Sequence, residues 1–373
     1  MKILILGKFY PPVLGGIETH IRDLARLLGP RHEITLLVHN QGRETIEEQV
    51  DGVRLIRAGT LFTALNQPVS LETLSLVREI EHDVVHLHAP NAWAAFALLL
   101  SGSRRPLIVS HHADIIGREP IRSLVMIGYR HLVRRARALM VSQPNNLTCS
   151  HDLRGLEVSP VVIPYCVEPS PFADEPGFED AARALKHDRF GDHPLAVFLG
   201  RLVPYKGADR MIQALASTPA LRLVIVGDGP LRTEIEAQAK TLGVADRLFI
   251  TGRSDERTKH MWLAASDFMI LPSVTIAEAF GIVQVEAMLW GKPVLVTDLP
   301  SGVPQVGEPG VTSLVVPPDD PAALAEAMNW LVDNPEAGRR MGEAGRTRAL
   351  DLYNETKFTQ TYDDLYRRVG DAS

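Results

Sequence analysis

Short apolar segments alternate with longer segments of helical periodicity along the whole chain. This alternation is typical of βαβ units, in which helices cover both faces of a parallel sheet. It predicts two series of strands. The first comprises Lys2–Leu6, Glu33–Val38, Val53–Arg57, Val84–Leu87, Leu107–Ser110, Ala138–Val141 and Val161–Ile163; the second comprises Leu195–Leu199, Leu221–Val226, Leu248–Thr251, Phe268–Leu271, Val294–Thr297 and Ser313–Val316. We therefore predict an α/β protein with two Rossmann-like parallel-sheet domains.

A segment rich in proline and acidic residues, 164–194, separates the two series and suits a connector with at most one short helix. The 373 residues also exceed the size at which one core keeps growing. We expect an N-terminal domain over residues 1–168, a C-terminal domain over 169–352 and a terminal helix over 353–373 that packs on the first domain. The crevice between the domains is the expected ligand site, because the carboxyl ends of the strands face it.

Charge and cysteine content narrow the class of protein. The net charge is −6, yet residues 1–160 hold 18 lysines and arginines against 15 acidic residues, and Arg118–Arg137 alone holds six arginines and one glutamate. That segment is either a solvated helix surface or a surface that faces an anion, such as an anionic membrane. A nucleic-acid partner is not expected, since interleaved aromatic residues are lacking. Cys149 and Cys166 fit neither a zinc site nor a disulfide framework.

The apolar segments do not indicate export or a membrane span. Residues 1–7 carry one charge and no small-residue cleavage site, which favours a buried strand over a signal peptide. The uncharged stretch His88–Ser103 is shorter than the ~20 residues that a span requires and is interrupted by Pro90. We expect a cytoplasmic protein.

Two glutamates, Glu278 and Glu286, lie where a predicted strand passes into a predicted helix. The strand ends at Leu271, a loop runs to about Phe280, and the helix that follows has Gly291 as its C-terminal cap. The N-terminus of this helix can bind a diphosphate through backbone N–H groups, and both carboxylates can accept hydrogen bonds from sugar hydroxyls. Alternatively, Glu278 caps the helix and Glu286 is a solvated surface residue.

Two loops of the second half carry cations and glycines. Arg201 and Lys206 lie in one strand-to-helix loop and can neutralise a diphosphate, or they are ordinary surface residues. After the next strand, Gly227 and Gly229 permit a tight turn and the close approach of a ligand. Arg232 stands where the dinucleotide fingerprint requires glycine, so a nicotinamide dinucleotide is disfavoured.

In the first half, Gly15 and Gly16 lie between the first strand and a helix. They either bring the backbone close to a phosphate or sugar or form a flexible loop. Polar residues also follow the fifth predicted strand, namely His111, His112 and Asp114. Two further histidines, His86 and His88, alternate on a buried strand, where a structural role is favoured.

Taken together, these motifs resemble the retaining family 4 glycosyltransferases of the GT-B architecture. The resemblance rests on Gly15-Gly16-Ile17-Glu18, Gly200-Arg201, Lys206-Gly207, Gly227-Asp228-Gly229-Pro230 and the pair Glu278 and Glu286, and it covers nearly the whole chain. It implies transfer of a hexosyl group from a nucleoside-diphosphate sugar to an acceptor hydroxyl with retained anomeric configuration, in polysaccharide, glycolipid or glycoconjugate synthesis. Residues 278–284 and 299–304 look most like bacterial mannosyl- and rhamnosyltransferases, which favours a mannose-type donor.

The resemblance also implies a role for each site residue. The catalytic residues would be Glu278, His112, Arg201 and Lys206. The donor-binding residues would be Gly15, Gly16, Arg201, Lys206, Gly227, Gly229, Arg253, Glu278, Phe280, Gly281, Ile282, Val283 and Glu286. The acceptor side would comprise Glu18, His111, His112 and Asp114. Within these sets, Arg201 and Lys206 would bind the diphosphate, Glu286 the ribose and Glu278 the transferred sugar.

Some features leave alternatives open. No Asp-x-Asp motif occurs, so we expect neither a metal nor another cofactor. No carboxylate nucleophile is evident, which favours front-face attack over double displacement. The segment 164–168 lacks the glycine that the family usually has at this hinge. A GT-B phosphorylase, a nucleotide-sugar epimerase and a non-catalytic sugar-nucleotide-binding protein remain alternatives.

Overall fold

The computed structural model describes residues 1–13, 15–64, 67–115 and 121–371. The chain divides into two compact units. Unit 1 comprises Met1–Cys166 and Glu355–Ser373, and unit 2 comprises Val167–Asn354. The division between Cys166 and Val167 lies inside the segment 164–168 that lacks the usual hinge glycine.

Unit 1 contains the first ten strands and the first five helices. The strands are β1 (Lys2–Leu6), β2 (Glu33–His39), β3 (Ile46–Val50), β4 (Val53–Ala58), β5 (Phe62–Ala64), β6 (Gln67–Val69), β7 (Val84–Ala89), β8 (Leu107–His111), β9 (Ala138–Val141) and β10 (Pro160–Val162). The helices are α1 (Gly16–Leu28), α2 (Leu71–Glu79), α3 (Ala92–Ser101), α4 (Ile121–Arg135) and α5 (Asn145–Thr148).

Eight of these strands form one sheet in the order β10-β9-β8-β7-β1-β2-β4-β3. Its strands are parallel except for β3, which pairs antiparallel with β4. The strand order reverses between β1 and β7, so the loops that follow these two strands begin side by side. Strands β5 and β6 form a separate antiparallel pair.

Unit 2 contains six strands and eight helices. The strands are β11 (Leu195–Leu199), β12 (Arg222–Val226), β13 (Leu248–Gly252), β14 (Phe268–Leu271), β15 (Val294–Thr297) and β16 (Ser313–Val316). The helices are α6 (Phe178–Phe190), α7 (Ala208–Ala216), α8 (Arg232–Thr241), α9 (Glu256–Ala265), α10 (Val283–Leu289), α11 (Val303–Val306), α12 (Pro321–Asp333) and α13 (Pro335–Leu352). Two short 3₁₀ helices, Pro204–Lys206 and Ala245–Arg247, complete it.

All six strands of unit 2 are parallel, in the order β13-β12-β11-β14-β15-β16. This is the Rossmann order, with the reversal between β11 and β14. Every residue of β11 is buried, because helices cover both faces of the sheet. Ligands of such sheets bind beyond the carboxyl ends of the strands that flank the reversal, so the loops after β11 and β14 are the expected location.

The last helix, α14 (Glu355–Asp371), belongs to unit 1. Its buried tyrosines, Tyr362 and Tyr366, share one hydrophobic core with Ile3 and Ile5 of β1 and with α1. The alternate residues of β1 belong to the core on the other face of the sheet, which α3 and α4 cover. Burial on both faces explains why β1 is apolar at consecutive positions rather than alternating.

The α/β architecture is the predicted one, and each predicted strand corresponds to a strand of the structure with ends within two residues. Strands β3, β5 and β6 were not predicted. β3 is a largely exposed edge strand with the sequence IEEQV, which lacks the apolar run of a buried strand. None of the described helices has the length and apolar character needed to cross a membrane.

Two helices differ from the predictions. Helix α6 has 13 residues within a segment that was predicted to hold at most one short helix. It forms because no proline lies between Pro176 and Pro194, and Phe178, Ala182 and Phe190 are buried on one side. Helix α10 begins at Val283 rather than near residue 280. Gly281 has a φ of +73°, which an α-helix does not accommodate, so the helix starts only after it.

Candidate functional site

The loops after β11 and β14 carry Arg201, Lys206 and Glu278, and two contacts hold these loops together. The amide of Val274 donates to the carbonyl oxygen of Tyr205 at 2.8 Å. Gly207 has a φ of +66°, and a Cβ there would lie 2.1 Å from the carbonyl oxygen of Pro272. Glycine is therefore required for the 3₁₀ helix that ends at Lys206 to lie against the loop after β14.

Lys206 and Glu278 form an ion pair in which both side chains are 11% exposed. The hydroxyl of Ser273 donates to Oε2 of Glu278 at 3.1 Å. The predicted ligand of the diphosphate and the predicted ligand of the sugar thus neutralise each other's charge. Because the pair is largely withdrawn from water, it acts on nearby phosphate or hydroxyl groups more strongly than an exposed pair would.

Arg201 differs from Lys206 in its surroundings. Its side chain is exposed, and no ion pair of Arg201 is found within the described ranges of the chain. In the sequence, the two residues look like one pair of cations displayed by one loop. The structure instead combines a buried, neutralised lysine with an exposed arginine that can move towards an anion.

The glycines after β12 are required by packing inside unit 2. A Cβ on Gly227, which has a φ of +155°, would lie 1.9 Å from the carbonyl oxygen of Gly200, and one on Gly229 would lie 2.4 Å from that of Leu202. The loops after β11 and β12 are therefore in direct backbone contact. Arg253 follows β13 and is exposed.

Glu286 lies in the first turn of α10, closer to the helix start than predicted. Its Oε1 accepts a hydrogen bond from Nζ of Lys259 at 2.7 Å. The side chain of Lys259 is 18% exposed and that of Glu286 is 17% exposed. At the start of α10, the amide of Gln284 donates to the carbonyl oxygen of Gly281, and that of Val285 donates to the carbonyl oxygen of Ile282. The amides that precede them belong to the predicted donor-binding residues, which are Phe280, Gly281, Ile282 and Val283.

In unit 1, Gly15 and Gly16 lead into α1. Gly15 is its N-terminal cap, and a Cβ on Gly15 would lie 2.2 Å from Oε2 of Glu18. A Cβ on Gly16 would meet no atom of the described chain within 4 Å. The space beside Gly16 is consistent with a loop that admits a ligand, as predicted for this pair.

His112 lies in a buried chain of hydrogen bonds in unit 1. Its Nε2 is 2.9 Å from Nδ1 of His88, and its Nδ1 is 2.6 Å from the hydroxyl of Tyr165. Burial, together with neighbouring histidines, lowers the pKa of His88 and of His112 well below the usual value. Both imidazoles are therefore neutral at pH 7. His112 can reach a sugar only by exchanging one of these partners.

Further histidines complete this cluster. His20 on α1 is 3.1 Å from the hydroxyl of Tyr362, and His86 is held by Tyr366 and Ser110. Nδ1 of His20 and Nε2 of His88 are buried without a partner in the described residues. His20, His88 and His112 offer ring nitrogens within 4.8 Å of one another, the one such group of potential metal ligands in the described part of the chain.

Asp114 and His111 are engaged in a separate network. The carboxylate of Asp114 accepts hydrogen bonds from the Ser150 hydroxyl at 2.5 Å and from the His151 amide at 2.8 Å. Burial opposes ionisation, yet these bonds and His111 hold the pKa of Asp114 far below its usual value. Nδ1 of His111 is 2.7 Å from the hydroxyl of Tyr129. Both predicted acceptor-side residues thus also fasten the segment after β8 to its neighbours.

The arginine-rich segment is less open to solvent than its composition suggests. Arg118 and Glu119 lie outside the described residues. Four arginines hydrogen-bond within unit 1: Arg122 to Asp152, Arg130 to backbone carbonyls of Asp152 and Arg154, Arg135 to that of Ser103, and Arg137 to that of Val369. Arg134 is exposed. Helix α4 also exposes Leu124 and Ile127, by 73% and 70%.

Three side chains of the candidate sites were not identified from the sequence: Ser273, Lys259 and His20. Ser273 lies five residues before Glu278, a spacing that any loop could show. Lys259 lies on a helix remote in sequence from Glu286. Only for His20 did the sequence contain a signal that could have been used. His20 follows Gly16 closely, so a helix that begins at the glycine loop places it near that loop.

Comparisons with known proteins identify the family to which the chain belongs. The family described as "Glycosyltransferase Family 4" matches residues 14–170, and "Glycosyl transferases group 1" matches residues 182–348. The D-rhamnosyltransferase WbpZ of Pseudomonas aeruginosa is 33% identical over 365 residues, which cover 95% of this chain and 92% of that protein. The O-antigen chain mannosyltransferase C of Escherichia coli is 28% identical over 375 residues, which cover 98% of each chain.

Among solved structures, HepE of Anabaena in complex with UDP aligns with a TM-score of 0.76 at 21% identity, covering 99% of this chain and 100% of HepE. At that identity the likeness concerns the fold, which is GT-B. The resemblance drawn from the sequence motifs is thus confirmed. The chain belongs to the family 4 glycosyltransferases and has their GT-B fold.

Proposed function

We propose that this glycosyltransferase moves a hexosyl group, with a mannose-type donor favoured, from a nucleoside-diphosphate sugar to an acceptor hydroxyl, with retention of configuration and without a metal or other cofactor. The observation that carries the proposal is the ion pair of Lys206 and Glu278 at the reversal of strand order in unit 2. The named activities of the D-rhamnosyl- and mannosyltransferase relatives, and the UDP bound to HepE, support this donor class.

The chemistry assigned to each residue follows from its charge and position. Arg201 and Lys206 would stabilise the negative charge that develops on the leaving diphosphate, together with the backbone amides before α10. Glu278 would accept a hydrogen bond from a hydroxyl of the transferred sugar, and Glu286 from the ribose. In front-face attack the acceptor oxygen bonds to the anomeric carbon as the phosphate leaves, and the acceptor proton passes to a phosphate oxygen.

The test is a thermal-shift screen of GDP, UDP and ADP, followed by assays of GDP-mannose, GDP-D-rhamnose and UDP-glucose with candidate acceptors. A nucleoside diphosphate at 100 times its Kd stabilises the fold by about 2.7 kcal/mol. Product with an α linkage from an α-linked donor is expected. A phosphorylase would instead require inorganic phosphate, and an epimerase would change the sugar without releasing the nucleotide. Binding without turnover on any acceptor would favour a sugar-nucleotide-binding protein.

We also propose peripheral contact of unit 1 with an anionic membrane through α4. Leu124 and Ile127 are exposed on this helix, and Phe96 and Leu100 are exposed on α3, which packs beside it. Arg134 adds positive charge on α4. An apolar surface beside an exposed arginine matches an anionic bilayer surface, and a lipid-linked acceptor would be found there.

Vesicle co-sedimentation tests the membrane contact. Binding to vesicles with anionic lipid should fall in the double variant Leu124→Ser/Ile127→Ser and should weaken with added salt. Leu350→Ser, which changes an exposed leucine of unit 2, is the matched control. Equal binding of all three proteins would contradict this contact.

A further inference from the structure

Lys259 of α9 lies between two carboxylates of very different exposure. Its Nζ is 2.6 Å from Oε2 of Glu256, which is 74% exposed, and 2.7 Å from Oε1 of Glu286, which is 17% exposed. The exposed pair contributes little, because water and salt screen it. The contact with Glu286 is the one that the surrounding protein fixes.

The pairing keeps the lysine charged. Burial on its own would lower the pKa of Lys259, but the carboxylates of Glu286 and Glu256 outweigh burial and raise it above its usual value. A second bond lies beside it: Nε1 of Trp290, the C-terminal cap of α10, donates to Nδ1 of His260 on α9 at 2.9 Å. The position of Glu286 relative to α9 is therefore fixed at two neighbouring points.

Only one oxygen of the Glu286 carboxylate is used in this way. Oε1 accepts the bond from Lys259, and within the described part of the chain no hydrogen bond to Oε2 is found. A carboxylate held at one oxygen by a cation has a defined orientation and presents its other oxygen to a ligand. A vicinal diol such as that of ribose is a suitable donor to it.

We propose that Lys259 is a positioning residue for nucleotide binding: it holds Glu286 with Oε2 directed at the ribose hydroxyls of the nucleoside diphosphate. This inference rests on the proposed function, in which Glu286 binds the ribose. Lys259 itself does not contact the ligand. Its effect should appear only when ribose hydroxyls are present.

The experiment compares the affinities of ribose and 2′,3′-dideoxyribose forms of GDP and of UDP, measured by calorimetry. Wild-type protein should prefer the ribose form of the base that it binds, and Glu286→Gln should reduce this preference. Lys259→Met should weaken binding of the ribose form by about tenfold, the size expected for one charge-assisted hydrogen bond. It should leave the dideoxy form unchanged, and Lys259→Arg should retain part of the preference.

Two controls separate positioning from a general effect on the fold. Lys186→Met removes another lysine that is 19% exposed and 2.7 Å from a carboxylate, that of Asp267, and should leave both affinities unchanged. The double variant Lys259→Met/Glu286→Gln should bind like Glu286→Gln alone, because the two residues act through one contact. A fold defect would weaken both nucleotide forms and would add to the loss in Glu286→Gln.

The outcomes distinguish this inference from the proposed function. If the wild-type protein binds none of GDP, UDP and ADP, the proposed function fails. If Glu286→Gln loses the preference for ribose while Lys259→Met retains it in full, the function stands and the role of Lys259 is overturned. Tighter binding of the ribose form by Lys259→Met would also overturn it, since the lysine would then compete with the ribose for Glu286.

Discussion

The imidazole rings of His88 and His112 stack with their centroids 5.1 Å apart and their planes 17° from parallel, and one hydrogen bond joins them. Two protonated imidazoles at this distance would repel each other. The contact therefore requires that the two rings are not protonated together, and the burial of the cluster keeps both of them neutral. The same requirement extends to His20 and His86, because burial lowers the pKa of each to about 3.

The buried histidines predict that unit 1 loses stability as the pH falls below about 6.5. The unfolded chain takes up protons on these residues near that pH, whereas the folded chain does so only near the lowered pKa of about 3. Protons thus favour the unfolded state across this window, by up to about 1.4 kcal/mol per pH unit for each histidine. Urea unfolding at about pH 7.5, 6.5 and 5.5 measures the slope.

His86→Gln should reduce the slope of the unfolding free energy against pH by the amount that corresponds to one proton, about 1.4 kcal/mol per pH unit. His187→Gln, which changes a histidine that is 67% exposed, should not. Equal slopes in the two variants would show that buried histidines do not govern the pH dependence.

The buried ion pair predicts that Lys206→Ala lowers both stability and nucleotide affinity. Removing the lysine leaves the carboxylate of Glu278 without its cation at 11% exposure, which should cost about 1–3 kcal/mol of unfolding free energy. Arg201→Ala should weaken nucleoside-diphosphate binding by about tenfold or more while the unfolding free energy changes by less than about 0.5 kcal/mol. Calorimetry and urea unfolding on both variants check this. Unchanged nucleotide affinity in both would remove the diphosphate assignment.

The two glutamates should differ in what they affect. Glu286→Ala should weaken free nucleoside diphosphate and nucleotide sugar alike, since it removes the ribose contact. Glu278→Ala leaves Lys206 without its counter-charge, so it should not weaken nucleoside-diphosphate binding. It should reduce turnover sharply, because a contact with the sugar that tightens in the transition state affects rate more than ground-state binding. Affinities and initial rates are measured side by side. Severe loss of diphosphate binding with near-normal saturated turnover in Glu278→Ala would refute this division.

The open space beside Gly16 allows a test of the glycine loop in unit 1. Gly16→Ala should keep the wild-type Tm, because the added Cβ meets no atom within 4 Å in the described chain, and should lower turnover where a ligand occupies that space. Gly227→Ala is the contrast: its Cβ would lie 1.9 Å from the Gly200 carbonyl oxygen, so the fold itself should be destabilised. Wild-type turnover in Gly16→Ala would exclude close approach of substrate there.

Turnover should not require a divalent metal. The motivation is the lack of an Asp-x-Asp motif together with the two cations, Arg201 and Lys206, after β11. Nucleotide release from the donor is measured with and without a chelator, and the rates should agree. Loss of turnover that magnesium restores would contradict the prediction.

The central strands could be predicted from sequence because burial on both faces requires consecutive apolar residues, as in β1 and β11. Arg201, Lys206 and Glu278 could be identified singly because each follows such a strand. Their arrangement could not be predicted. The pairing of Lys206 with Glu278 depends on β11 and β14 being neighbours although β12 and β13 separate them in sequence. For Lys259, the sequence indicates only the partner on the same helix, Glu256, and not Glu286.

The return of α14 to unit 1 has a consequence for biosynthesis. The two ends of unit 2 lie next to each other: the amide of Val167 donates to the carbonyl oxygen of Tyr353 at 2.8 Å. All residues of unit 2 are therefore synthesised before α14. Most of unit 1 is translated first. The core between its sheet and α1 is completed only when Tyr362 and Tyr366 of α14 have been synthesised. A stop codon between residues 354 and 362 would thus leave unit 2 complete and remove part of the core of the unit that was synthesised first.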